Sequence, residues 1–286
     1  MVFCSFTDLA GKGLSRMRQA VLACAVCLPL AAQAQTVDPG RAAFATGDFE
    51  RALEIWTELA EEGDLHAQFN VGLLHDEGLG TAPDRDEARR WWRMAADQGL
   101  SEADHALALL EIELAGDGSG SGDLETALFH LNRAADSGLV KARFTLGKMY
   151  EYGLGVDADP ETAVEHIRSA AESGFAKAQY NMGKRYRDGD GVEPDEVKST
   201  EWFRRAALQG HPGGLEHLAR RIHLGESIKP DPVGAMTYAI LAVRAGHPEA
   251  RDLATELKGP LSIEQLDRAF TAANAFTPEV VTGPVE

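Results

Sequence analysis

Residues 176–210 read AKAQYNMGKRYRDGDGVEPDEVKSTEWFRRAALQG, and this stretch decides the fold. Ala178, Met182 and Tyr186 fall four apart, the spacing of one helix face, and Gly183 is a small residue where a partner helix presses close. Gly189 and Gly191 then mark a turn. An aspartate-rich start leads into a second amphipathic helix carrying Trp202, Phe203, Ala206 and Ala207. Gly210 ends it, as suits a left-handed C-terminal cap where a side chain clashes. The unit reads as helix A, glycine turn, helix B, glycine turn.

Working outward, the closing glycine recurs at Gly63, Gly99, Gly138, Gly174, Gly210 and Gly246, with gaps of 36, 39, 36, 36 and 36 residues. Leu59-Ala60, Ala95-Ala96, Ala134-Ala135, Ala170-Ala171, Ala206-Ala207 and Ala242-Val243 precede it at one fixed offset. The upstream pair recurs as Gly78/Gly80 and Gly153/Gly155, after Phe69-Asn70-Val71-Gly72 and Phe144-Thr145-Leu146-Gly147. Self-similarity at such a period is the signature of a repeat architecture.

This pattern resembles the Sel-one-like repeat family, relatives of the tetratricopeptide repeat. Its first half appears as Ala142, Leu146, Gly147, Tyr150, Gly153, Gly155 and Val156, and again as Ala178, Met182, Gly183, Tyr186, Gly189, Gly191 and Val192. Its second half appears as Ala88, Trp91, Trp92, Ala95, Ala96 and Gly99, and again as Trp202, Phe203, Ala206, Ala207 and Gly210. The expected fold is all-α: an α-solenoid, a right-handed superhelix of antiparallel helix pairs with about 36 residues per repeat, over residues 40–258. Three departures stand out. The 103–141 unit lacks the first glycine and carries three extra residues at Gly116 to Gly122. The 214–249 unit has Ala219 for the helix-A glycine and loses its G-x-G. The first unit resembles the pattern clearly only in helix B, Phe49 to Glu62. Ser262 and Gln265 form a Ser-x-x-Gln capping box at the start of a helix over 261–276, read as the C-terminal cap, and 277–286 reads as a flexible tail.

The chain's formal charge is −17, the wrong sign for a nucleic-acid binder, and no nucleic-acid partner is expected. Residues 1–34 read as a cleavable secretory signal: Arg16 and Arg18, the apolar run Ala20 to Ala32, then Ala32-Gln33-Ala34. Met17 is an alternative start to Met1, and a buried N-terminal helix is the alternative to the signal. The run is too short for a permanent membrane span, so no stable membrane insertion is expected after cleavage. Cleavage removes Cys4, Cys24 and Cys27 and a net +2, leaving a cysteine-free chain of −19. The expected location is periplasmic or secreted.

The conserved offset of the repeats places Lys148, Lys184 and Arg220 at one helix-A position in three successive units, with Arg185 and Arg221 adjacent. On an acidic chain this is a basic column suited to an acidic peptide or an anionic glycan; the alternative is a set of solvated helix faces balancing nearby acids. Asn70 and Asn181, at equivalent positions, are further candidates for holding a partner backbone. The loop Asp117 to Glu125 matches a calcium loop at several positions but has Leu128 where a bidentate glutamate belongs, so it reads as an inserted turn. His130 and His166 share a repeat position with Trp91 and Trp202 and read as packing substitutes rather than metal ligands. No nucleophile elbow, phosphate loop or mature cysteine nucleophile is present, and no enzyme activity, metal or cofactor is expected. The family resemblance implies adaptors or regulators in envelope signalling, exopolysaccharide production or host contact. Some cysteine-rich relatives are linked to penicillin binding or hydrolysis, but this chain lacks their paired cysteines. The expectation is a non-enzymatic periplasmic scaffold with a protein or peptide partner; the alternative is an envelope accessory protein binding or acting on peptidoglycan or exopolysaccharide.

Overall fold

The computed structural model describes residues 38–118 and 120–285. The signal segment 1–34, with its choice of start, lies outside the described residues. Those residues form fourteen helices. They are α1 (Pro39–Ala45), α2 (Phe49–Glu61), α3 (Leu65–Glu77), α4 (Arg85–Asp97), α5 (Ser101–Gly116), α6 (Leu124–Asp136) and α7 (Val140–Tyr152). There follow α8 (Pro160–Glu172), α9 (Ala176–Asp188), α10 (Glu196–Leu208), α11 (Pro212–Leu224), α12 (Pro232–Arg244), α13 (Ala250–Lys258) and α14 (Ile263–Ala275). No strand occurs among the described residues. The chain divides into two compact units, one through Ala142 and one from Arg143.

Helix starts are set locally. Asp84, Asp123, Asp159, Asp195 and Asp231 cap α4, α6, α8, α10 and α12, each accepting hydrogen bonds from first-turn backbone N–H groups. Each such cap stabilises its helix by about 1 kcal/mol. Helix ends are equally local: Gly78 and Gly189 take the left-handed conformation at the ends of α3 and α9.

Within each unit, sequential helices pack as antiparallel pairs. In the first unit, Trp56 and Trp91 share a core with Val71 and Leu74, while Trp92 packs with Leu107 and Leu110. In the second, Leu215, Leu218, Ile222, Met236, Ile240 and Leu253 form a core that Ala269 and Ala273 of α14 close. Each fully buried large side chain contributes on the order of 1.5–3 kcal/mol. The helix-A glycines are where the paired helix presses in. A Cβ at Gly72 would lie 2.5 Å from Trp92 Nε1, and one at Gly183 would lie 2.7 Å from Phe203 Cδ1. Of the aromatics on the repeat helices, Trp91, Trp92, Phe144, Trp202 and Phe203 are buried, whereas Phe69 and Tyr180 are half-buried.

The departures resolve differently from their sequence reading. The three extra residues of the 103–141 unit lengthen α5 to 16 residues rather than only widening a loop. The unit that loses its G-x-G keeps the turn: Gly225 is left-handed, and Ser227 adopts φ +56° where Gly155 and Gly191 have +70° and +71°. The Ser262–Gln265 capping box is formed at α14. Residues 277–285, expected as a flexible tail, are pinned to the second unit. Glu279 N donates to Leu208 O at 2.8 Å, and Gly283 N donates to Glu172 O at 2.7 Å. These are the last carbonyls of α10 and α8, which no helical N–H can satisfy, so an extended segment finds acceptors waiting there.

Candidate functional site

The basic residues Lys148, Lys184, Arg185, Arg220 and Arg221 lie on α7, α9 and α11 of the second unit. Arg185 is buried, its guanidinium bonded to Glu151 at 2.5 Å, Asn181 Oδ1 at 3.1 Å and the Asp190 carbonyl at 3.0 Å. Lys148 Nζ donates to the same Glu151 at 2.8 Å and lies over the Tyr152 ring. Arg221 is buried against Glu196 at 2.5 Å, Ser199 Oγ at 3.0 Å and Thr200 Oγ1 at 2.9 Å, with its guanidinium over Phe203. Arg220 pairs with the buried Glu216 at 2.7 Å. Lys184 is exposed, within electrostatic reach of Asp188.

The column is therefore not an open cationic stripe. Four of its five members pair with carboxylates of their own unit; for Arg185 and Arg221 the cause is burial, because a guanidinium taken out of water needs an acceptor within bonding distance. Asn181 serves as one of those acceptors, and Asn70 is buried in α3 of the first unit. Lys184 is the exposed member, and Arg220 is half-buried.

The two histidines take different roles. His130 Nδ1 lies 2.7 Å from the buried Asp104, which also meets Arg133 at 3.2 Å. His166 stacks on Tyr150 at 5.7 Å, and its burial holds the imidazole below its ordinary pKa. In the inserted loop, Asp123 is taken up as the cap of α6 and Asp117 lies 3.5 Å from Arg85. Among the described residues, no group of three metal-ligating side chains converges. A shallow depression in the second unit is lined by Arg168 and Lys198 together with Glu193 and Asp195, a mixed charge set.

What does hold a polypeptide is the edge of the second unit where helices B end and helices A begin. Gln179 is fully buried; its Nε2 donates to Ala171 O at 3.1 Å and to Val281 O at 2.7 Å. Gln209 Nε2 donates to Gln179 Oε1 at 2.7 Å, fixing the amide's orientation. Arg205 then clamps the carbonyls of Gly283 at 2.5 Å and Pro284 at 3.0 Å, and Glu201 holds Arg205 from behind at 2.9 Å. Residues 279, 281 and 283 thus face the helices in the period-two pattern of an extended strand.

Sequence reasoning missed Gln179, Gln209 and Arg205. A signal existed: Gln68 and Gln98 precede Gln179 and Gln209 by the same 111 residues, three repeat periods. It also missed the buried acids Asp104, Glu111 and Glu216, which lie on helix faces with nothing local to mark them. Glu111 accepts from Arg89 at 2.9 Å and from Asp123 N at 3.1 Å.

Among the described residues, no helix is long and apolar enough to cross a membrane. The model of the Sel1 repeat matches residues 65–100, 101–139, 140–175, 176–211 and 214–247. A protective antigen of uropathogenic Escherichia coli strains displaying an SLR fold superposes with TM-score 0.66 at 28% identity, over 80% of this chain and 49% of that one. A Sel1 repeat protein from Oxalobacter formigenes does so with TM-score 0.62 at 23% identity, over 83% of this chain and 98% of that one. In Schizosaccharomyces pombe, chitin synthase regulatory factor 3 is 36% identical over 113 residues, which are 39% of this chain and 12% of that protein. The chain spans between 12% and 28% of the length of the curated relatives it matches. With five matched repeats on an all-α solenoid fold, the chain belongs to the Sel1 repeat family.

Proposed function

We propose that this protein is a non-enzymatic interaction scaffold of the cell envelope, exported by its N-terminal segment and acting as an adaptor or regulator through a protein partner. Sel1 repeat proteins are protein-interaction scaffolds, and the fold is typically non-catalytic. One observation carries the reading: the edge of the second unit already holds an extended polypeptide, residues 279–284, through backbone and side-chain hydrogen bonds. A surface that grips one extended chain by its backbone is built to grip another, because backbone groups are common to every partner. Lys184, exposed on α9 near Asp188, offers a cation to an acidic partner.

A second reading, an accessory protein in polysaccharide synthesis or binding an anionic glycan, is favoured by the name of one relative, a chitin synthase regulatory factor. Two measurements test these readings. Fractionation followed by mass spectrometry of the mature chain should find it outside the cytoplasm, beginning at Gln35; a cytoplasmic chain retaining residues 1–34 overturns the export. Purified protein should then retain an envelope protein in cross-linking. Retention on purified cell-wall polymer with no protein partner supports the second reading against the first.

A further inference from the structure

In the second unit, the bound segment advances four residues, from Glu279 to Gly283, between the last carbonyls of α10 and α8. Those two carbonyls belong to Leu208 and Glu172, one 36-residue period apart. Four extended residues span about 13 Å, so the segment's own repeat matches that of the helices it crosses. Each repeat exposes such a carbonyl, yet the grip also needs the glutamine pair and a glycine beneath the segment. A Cβ at Gly174 would lie 2.8 Å from Val280 Cγ1 and 3.0 Å from Thr282 Cγ2.

The first unit carries the same set. Gln68 is buried at 1% exposure; its Nε2 donates to Ala60 O at 3.1 Å, and its Oε1 accepts from Gln98 Nε2 at 2.8 Å. Among the described residues, this is the arrangement of Gln179 and Gln209 without the bond that Gln179 gives to Val281. Glu61 and Asp97 end α2 and α4 as Glu172 and Leu208 end α8 and α10. Gly63 stands in the place of Gly174, but no described atom lies within 4 Å of the Cβ it lacks. Arg93, exposed, stands where Arg204 feels the charge of Glu279. Met94, 37% exposed, replaces the clamping Arg205.

We propose that this edge of the first unit, built from the Glu61 and Asp97 carbonyls, Gly63 and the Gln68–Gln98 pair, is an open docking strip for an extended segment of a partner protein. The segment presents N–H, C=O and N–H groups at alternate residues to Asp97 O, Gln68 Nε2 and Glu61 O. It carries an acidic side chain at its start beside Arg93 and β-branched side chains over Gly63, as Val280 and Thr282 lie over Gly174. Past the last of these it takes an apolar residue against Met94, where the second unit instead binds bare carbonyls with Arg205. The inference rests on the scaffold reading and names its site and the chemistry of its partner.

The probe is a fluorescein-labelled peptide of residues 277–286, titrated into the millimolar range against the full chain, whose second-unit strip is already filled. One peptide should bind per chain. Gln68→Leu should weaken it roughly three- to tenfold, the loss of one buried hydrogen bond. Met94→Arg changes a solvent-facing side chain and restores the clamp, so it should tighten binding severalfold. Absence of binding to both the natural chain and Met94→Arg overturns the strip, as does binding that neither substitution alters. If the partner cross-linked to the full chain persists in that case, the scaffold reading survives without this strip. Concentration-dependent self-association of the full chain that the peptide abolishes would assign the strip to a second copy and overturn the separate partner.

Discussion

Gly147→Ala probes a close helix approach in the second unit. A Cβ at Gly147 would lie 2.6 Å from Ile167 Cγ1, 3.0 Å from Ala163 O and 3.2 Å from Ile167 N. Ordinary carbon contacts begin near 3.5 Å. The side-chain atom can rotate away, but Ala163 O and Ile167 N belong to the backbone of α8 and can retreat only if the helix moves. Overpacking of this kind costs about 1–3 kcal/mol. Against it stands the gain from replacing glycine by alanine within a helix, about 1 kcal/mol. Because two of the three close atoms are backbone, the upper part of the overpacking range applies and the net loss is about 1–2 kcal/mol. Urea unfolding should show a lower midpoint with an unchanged slope, and the thermal midpoint should fall by roughly 2–8 °C. A variant as stable as the natural protein, or more so, would refute the idea that this glycine is there to let α7 and α8 touch.

Arg221→Met should lose about 2 kcal/mol, since it removes charge-assisted bonds to Glu196, Ser199 and Thr200 from a buried site. Lys184→Ala, from the same basic column but exposed, should leave stability within about 0.5 kcal/mol, so equal effects in chemical denaturation would refute the division between them. His105, His211 and His217 titrate at about 4, each chiefly because burial disfavours the imidazolium. The unfolded chain takes up these protons below about 6.5 while the folded chain does not, so their contribution is complete above that pH and is lost as pH falls toward 4. For His105, at 9% exposure, the loss reaches about 3 kcal/mol, and His105→Leu should flatten the thermal midpoint between pH 6.5 and 4.5. Ser227→Gly should raise stability by up to about 1 kcal/mol, because Ser227 holds φ +56°, a region that costs a side chain about 1–2 kcal/mol and glycine little. An unchanged or lower urea midpoint counts against that strain.

The regular part of this fold was legible because its causes are local. Asp195 caps α10 through N–H groups two and three residues away, and Gly189 ends α9 by its own backbone preference. A short stretch of chain carries all the information such events need. The turn at Gly225 to Ser227 shows the limit of matching letters: its glycine pattern is broken, yet the packing on either side imposes the same backbone on serine. The basic column was legible as a row of positions, but not the choice between its two readings, a binding face or a set of charges balancing nearby acids. Whether Arg221 meets water or Glu196 depends on a helix 25 residues earlier, and no periodicity reports that distance.

Sequence by itself determined the repeat, its helix pairs, the turns between them and the chain's excess of acid, since spacing, capping and charge are properties of neighbouring residues. Tertiary structure alone decided which charges are spent inside the protein. It also turned the last residues from an expected loose end into a bound segment. The sequence of that segment carries no helical or strand pattern; its order comes from helix-end carbonyls, a buried glutamine and an arginine that lie between 71 and 111 residues away along the chain and meet it only when the helices stack.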